Sequence, residues 1–134
     1  MSTAAVVNSG LHFDVDPNIV GELMHKAGDL GFIMFDVNVN SVRSKEELLY
    51  RFAQHLPAYF GRNWDALEEC LRDLDVGNSR GILLVLRSAD ALQELPASER
   101  DTLLSILRAT ASFWEQENIQ FAALLERPRN VLKE

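Results

Sequence analysis

A chain of 134 residues, 47% hydrophobic and 25% charged, carries enough apolar side chains for one globular core and too many for a disordered segment. Twenty acids against thirteen bases leave a formal charge of −7, the wrong sign for a general nucleic-acid binder and a suitable one for a protein whose partner is basic. The single cysteine, Cys70, excludes an internal disulfide, no apolar run approaches the roughly 18 residues of a membrane span, and residues 1–10 lack the features of a secretory signal, so the expectation is a cytoplasmic protein with no membrane partner.

Residues 1–10 are small and polar and read as frayed. Asp16-Pro17 marks a helix start: Asp16 caps, and proline suits the first helical position because its missing N–H has no partner there. Ile19, Val20, Leu23, Met24 and Ala27 follow at helical spacing, giving a helix over 17–28 bracketed by Gly28 and Gly31. Residues 31–37 form a short, nearly continuous apolar run, the pattern of a strand buried on both faces. Ser44 and Glu47 make a capping box ahead of a helix that Pro57 terminates near His55. Tyr59-Phe60-Gly61 is a loop in which Gly61 supplies a positive φ. Asn63 caps the next helix, to about Leu74, and Gly77-Asn78 is a turn. Residues 81–86 are a second buried strand, Ser98 and Asp101 open a helix to about Glu117 with Asn118 as its left-handed cap, and residues 121–125 are a third strand. Strands alternating with helices predict an α/β fold, a three-stranded parallel sheet with helices packed on it. Residues 1–30 are expected to be an N-terminal extension, helical at 17–28 and packed on the domain; 31–126 are the domain and 127–134 a tail.

The helix beginning at Asn63 carries the most information. At 100° per residue, Trp64, Leu67, Leu71 and Leu74 share one side, with Cys70 at its edge, which is a stripe for the core. Asp65, Glu69 and Arg72 occupy the opposite face, flanked by Glu68 and Asp73, and five acids face two arginines between Arg62 and Asp75. Asp65 and Glu69 are a like-charge i, i+4 pair that costs an isolated helix about 0.2–0.5 kcal/mol. Asp65 recovers part of this in the first turn, near the positive end of the helix dipole. A solvated helix face and a surface that receives a basic concave partner both fit this pattern.

The segment Leu56-Pro57-Ala58-Tyr59-Phe60-Gly61-Arg62-Asn63-Trp64-Asp65-Ala66-Leu67 meets every fixed position of L-P-x-Y-[YF]-G-x-N-x-D-A-L. It closely resembles the signature of the barstar family, intracellular inhibitors of small bacterial ribonucleases of the barnase type. The resemblance covers roughly residues 31–126, and the order of strands and helices around the motif agrees with it. It implies that loop and helix plug a ribonuclease active site, with carboxylates standing in for RNA phosphates, and that the chain is not itself an enzyme. By position it implies a partner-binding set of Tyr59, Phe60, Gly61, Asn63, Asp65, Glu68, Glu69 and Asp73, and it makes Glu115 a candidate for a further interface glutamate on the last helix. The implied partner is a small basic ribonuclease, with no cofactor, no metal and no direct contact to nucleic acid. The chain departs from the best-characterised member of the family at three places. Arg62 stands where that member has an acid, Glu68 replaces an aromatic residue, and Glu69 replaces an aspartate with a side chain one methylene longer. These departures motivate an alternative from another class, a protein-interaction module of the same fold whose partner is not a nuclease.

A third reading takes Asp65 and Glu69 as a general acid–base pair, which needs a cleft that drives their pKa values apart. His12, His25 and His55 lack metal-ligand spacing and suit surface positions. Cys70 suits a small hydrophobe rather than a nucleophile. No phosphate-binding glycine loop, nucleophile elbow or H-E-x-x-H is present. Trp114, Leu103, Leu107 and Thr110 match core spacing, and Phe113 is open between core and surface.

Overall fold

In the computed structural model, which describes residues 7–56 and 62–128, the chain runs β1 (Gly10–Val15), α1 (Pro17–Asp29), β2 (Ile33–Asn38), α2 (Lys45–Ala53), α3 (Trp64–Arg72), β3 (Gly81–Arg87), a 3₁₀ helix (Ala89–Glu94), α4 (Ala97–Gln116) and β4 (Gln120–Glu126). The strands form one sheet in the order β1-β4-β3-β2, and every pair is parallel. β3 and β4 are central and buried along almost their whole length, which is why they read as unbroken apolar runs.

Alternation along these strands feeds two cores. Ile82, Leu84, Leu86, Phe121, Ala123 and Leu125 point to the side covered by α2, α3 and α4, where Leu48, Phe52, Leu67, Leu71, Leu103, Leu107 and Trp114 meet them. Leu83, Val85, Ala122 and Leu124 point to the other side, where Val20 and Ala27 of α1 cover them together with Phe32. The domain is therefore three layers, helix on sheet on helices. Phe32 lies across Gly81 so closely that a Cβ at position 81 would enter its ring.

The expected three-stranded sheet is corrected to four strands. β1 adds a parallel strand on the outer edge of β4, with Gly10, Leu11 and His12 opposite Ala122, Ala123 and Leu124. The register slips before Val15 meets Glu126, and Asp14 within the slip has φ 55°. Leu11, Phe13 and Val15 alternate with His12 and Asp14 in place of the continuous apolar run that marks the central strands, but across the slip Leu11 packs on the core under α4, Val15 on the core under α1, and Phe13 stays exposed. Residues 7–10 also depart from the frayed expectation. Asn8 accepts a hydrogen bond from His12 at 2.6 Å, and the Ser9 hydroxyl accepts from the Phe121 N–H at 3.2 Å. Beyond β4, Arg127 donates its N–H to Val15 at 2.9 Å, and its guanidinium sits 3.7 Å from Asp14.

The carboxyl end of the sheet is tied by charge. Arg87 donates to both oxygens of Asp36 at 2.8 and 3.2 Å and to Glu126 at 3.0 Å. Glu126 is 2% exposed, and its second oxygen accepts from the backbone N–H of Ser88 at 3.1 Å. The hydrogen bonds to Asp36 are the main influence raising the Arg87 pKa; burial opposes them and Glu126 assists. Ser88 takes a left-handed conformation, φ 58° and ψ 47°, to turn the chain into the 3₁₀ helix, which no cap or periodicity in residues 88–95 had announced.

Candidate functional site

Asn63 has extended geometry, and its side chain accepts from the Ala66 N–H at 2.8 Å, so it caps α3 as expected. The positive φ of the preceding turn falls, among the described residues, on Arg62 at 57°. Tyr59, Phe60 and Gly61 lie outside the described residues. α3 ends at Arg72, two residues short of the expected end, and Asp73 serves as its C-cap with its N–H on the Cys70 carbonyl.

The buried side of α3 is fixed by its apolar stripe. Leu67 is 0% and Leu71 1% exposed, both within the core shared with α4 and the sheet. Two indoles reinforce the packing. Trp64 donates from Nε1 to Glu99 of α4 at 2.9 Å, and Trp114 of α4 donates from Nε1 to the Leu71 carbonyl at 2.8 Å. Cys70 is buried; burial first, then the negative charges of Asp73 and Glu69, push its thiol pKa up, which suits an inert side chain.

With the inner side held, the outer side is rigidly presented. Asp65 and Glu69 are exposed one helical turn apart, and Asp73 is exposed just beyond the last turn. Glu68 is only half-exposed and pairs with Arg72 at 3.7 Å. Arg72 also lies over the Phe113 ring, 6.0 Å from its centroid. Of the eight expected site residues, then, Asn63 holds the helix start, Asp65, Glu69 and Asp73 stand in solvent, and Glu68 is engaged by a neighbour. Glu115 is exposed on α4. The residues that sequence reasoning left out of the site are Arg72 and Phe113, which only the docking of α4 on α3 brings together.

The acid–base reading needs a cleft around Asp65 and Glu69, and neither residue lines either of two cavities formed by described residues. One, of about 290 Å³, lies at the carboxyl end of β1 and β4 beneath the 3₁₀ helix, with Leu92, Arg100, Leu104 and Leu125 among its walls. The other, a groove of about 310 Å³ between α3 and α4, takes only Glu68 from the acidic face, with Asp101, Thr102, Ser105, Ile106 and Ala109. Among the described residues, no group of three or more His, Cys, Asp or Glu is arranged to hold a metal, and no helix is long and apolar enough to cross a membrane.

Parallel strands backed by helices, with an asparagine-capped acidic helix on the outside, define a small α/β domain that exposes the carboxylates of Asp65 and Glu69. The family model described as Barstar (barnase inhibitor) matches residues 32–126, and the chain belongs to the barstar family. No curated protein matches it.

Proposed function

We propose that this chain is a proteinaceous inhibitor of a small basic ribonuclease, acting in the cytoplasm and without catalysis of its own. The observation that carries the reading is the pair of exposed carboxylates, Asp65 and Glu69, on a helix whose start is capped and whose inner side is locked into the core. A ribonuclease site gathers Arg, Lys and His to hold phosphate and to stabilise developing negative charge. Carboxylates on a preformed helix reach such groups with little ordering cost, whereas a flexible chain would lose entropy on docking. The net charge of −7 speeds encounter with a basic enzyme and makes the on-rate sensitive to salt. Tyr59 and Phe60 would add aromatic contact, Gly61 would shape the loop, Asn63 would fix the helix start, and Glu68 and Asp73 would border the two central acids. Before the family-matched segment, β1 extends the sheet at its edge and α1 covers the face opposite α3, leaving the acidic helix clear.

A second reading, an interaction module whose partner is not a nuclease, draws on Arg72, which interrupts the acidic stripe one turn beyond Glu69. One experiment separates the two. The protein is titrated into a barnase-type ribonuclease, with RNA cleavage followed at low and moderate salt. The inhibitor reading predicts stoichiometric inhibition that weakens with salt, is lost in the Asp65→Ala/Glu69→Ala double variant, and is lost equally in Asp65→Lys/Glu69→Lys with thermal unfolding nearly unchanged. Absence of inhibition at micromolar excess, or inhibition untouched in the double variants, overturns it.

A further inference from the structure

Arg72 is not a loose surface arginine. Its guanidinium is 3.7 Å from the Glu68 carboxylate and 6.0 Å from the centre of the Phe113 ring, within reach of a cation–π contact. Phe113 is itself placed by Trp114, which it meets edge-on at 5.1 Å and 85°. Trp114 is 6% exposed and is anchored to α3 by its bond to the Leu71 carbonyl. Leu71 and Arg72 at the end of α3 and Phe113 and Trp114 at the end of α4 thus form a clasp. The clasp holds one positive charge in place within the acidic face.

Its position matters because α3 is straight and short. Three residues on from Glu69 and seven from Asp65, Arg72 lies about 4.5 and 10.5 Å farther along the axis, at a similar angle around it. Both distances are comparable with a Debye length of roughly 8 Å at physiological salt, so a partner that covers the two acids also covers the arginine. Free arginines relieve unfavourable contacts by swinging away. This one must first leave both its carboxylate and its ring.

We propose that Arg72 is a specificity gate for the partner. The inference rests on the inhibitor reading above and names what that partner must look like: basic opposite Asp65 and Glu69, but offering a carboxylate or carbonyl acceptor, and no cation, opposite Arg72. A nuclease that is basic across the whole contact is disfavoured, because like charges held together at an interface are costly and suppress wrong partners.

The test uses the full chain and a barnase-type ribonuclease with a basic active-site rim, comparing inhibition constants at low and moderate salt. Arg72→Gln is expected to tighten inhibition about tenfold at low salt, with the gain shrinking as salt rises. Phe113→Leu leaves the net charge and the Glu68 pair unchanged but removes the ring contact that helps hold the guanidinium, and is expected to give a smaller gain, about threefold. Lys26→Gln, an equal charge change on α1 across the sheet, is expected to leave the constant within a factor of two. Inhibition by the wild-type chain that Arg72→Gln leaves unchanged or weakens overturns the gate and leaves the inhibitor reading standing. So does a gain from Lys26→Gln equal to that from Arg72→Gln, which would be net charge alone, or no response to Phe113→Leu. Failure of both wild type and Arg72→Gln to inhibit overturns the inhibitor reading for this class of nuclease and the gate with it.

Discussion

Replacing Glu126 tests whether the charge network at the carboxyl end of the sheet holds the strands together. Glu126→Ala removes two hydrogen bonds, from Arg87 Nη1 at 3.0 Å and from the Ser88 N–H at 3.1 Å, at a site only 2% exposed. Breaking a buried pair by removing one partner typically costs ~3–5 kcal/mol. Arg87 is 24% exposed and keeps its two bonds to Asp36, so its share falls below that range. The Ser88 N–H has no such alternative in its left-handed turn, and an unmet buried donor costs ~1–3 kcal/mol. Together these give about 3 kcal/mol for Glu126→Ala, a fall of about 10 °C in Tm for a domain of this size. Glu126→Gln keeps the shape and one good acceptor, and is expected to lose about half as much. Asp36→Ala removes a partner that is 44% exposed and is expected to cost less than about 1 kcal/mol. Urea unfolding at neutral pH, followed by circular dichroism, ranks the three. A loss under about 1 kcal/mol for Glu126→Ala, or a larger loss for Asp36→Ala than for Glu126→Ala, would refute the reasoning.

Other outcomes follow from single contacts. Asn63→Ala should lower stability by about 1 kcal/mol and Asn63→Asp by much less, as read from denaturant midpoints, because aspartate still accepts from the Ala66 N–H. Trp114→Phe keeps a ring but removes the bond to the Leu71 carbonyl, for an expected loss of about 1–2 kcal/mol by urea titration. Gly81→Ala should cost more than about 1 kcal/mol in the same assay, because its Cβ meets the Phe32 ring, with part of the loss restored by Phe32→Leu. The folded-state pKa of Cys70 lies above its unfolded value, so the folded chain holds the thiol proton more tightly. Its contribution to stability is complete below the ordinary thiol pKa and is lost as pH rises through the raised one. As pH rises past the ordinary thiol pKa, the stability of wild type should therefore fall more steeply than that of Cys70→Ala, and parallel slopes would contradict the shift.

The sequence is most legible where one element satisfies itself. The Ser44 and Asn63 caps, the Asp16-Pro17 start and the left-handed Asn118 all depend on neighbours within a few residues, and each is found where expected. β3 and β4 are legible because burial on both faces leaves little room for polar residues, whereas β2, expected to be buried on both faces, is the sheet's other edge, with Met34, Asp36 and Asn38 exposed. β1 escapes notice for the opposite reason: an edge strand needs only alternation, and the slip at Asp14 shortens even that. The Asn63 cap and the exposure of Asp65 and Glu69 could be read from a helical wheel. The pairing of Glu68 with Arg72 hides a carboxylate expected to face a partner, and the stacking of Arg72 on Phe113 depends on how α4 docks. The Glu68–Arg72 pair follows from i, i+4 spacing within α3, whereas no spacing rule within α3 encodes the stacking on Phe113.

The first strand of this chain is hydrogen-bonded to the last. Gly10 sits opposite Ala122, and the chain must travel through every other element before that contact exists. Pairings between such distant residues close large loops and come late in folding. During synthesis the N-terminal strand emerges first but waits for β4 to be made before it has an edge to join, so it is exposed to wrong pairings for longest. His12 and Asp14, the polar side chains on that strand, then serve a second purpose besides local geometry. They make the waiting strand a poor template for another chain.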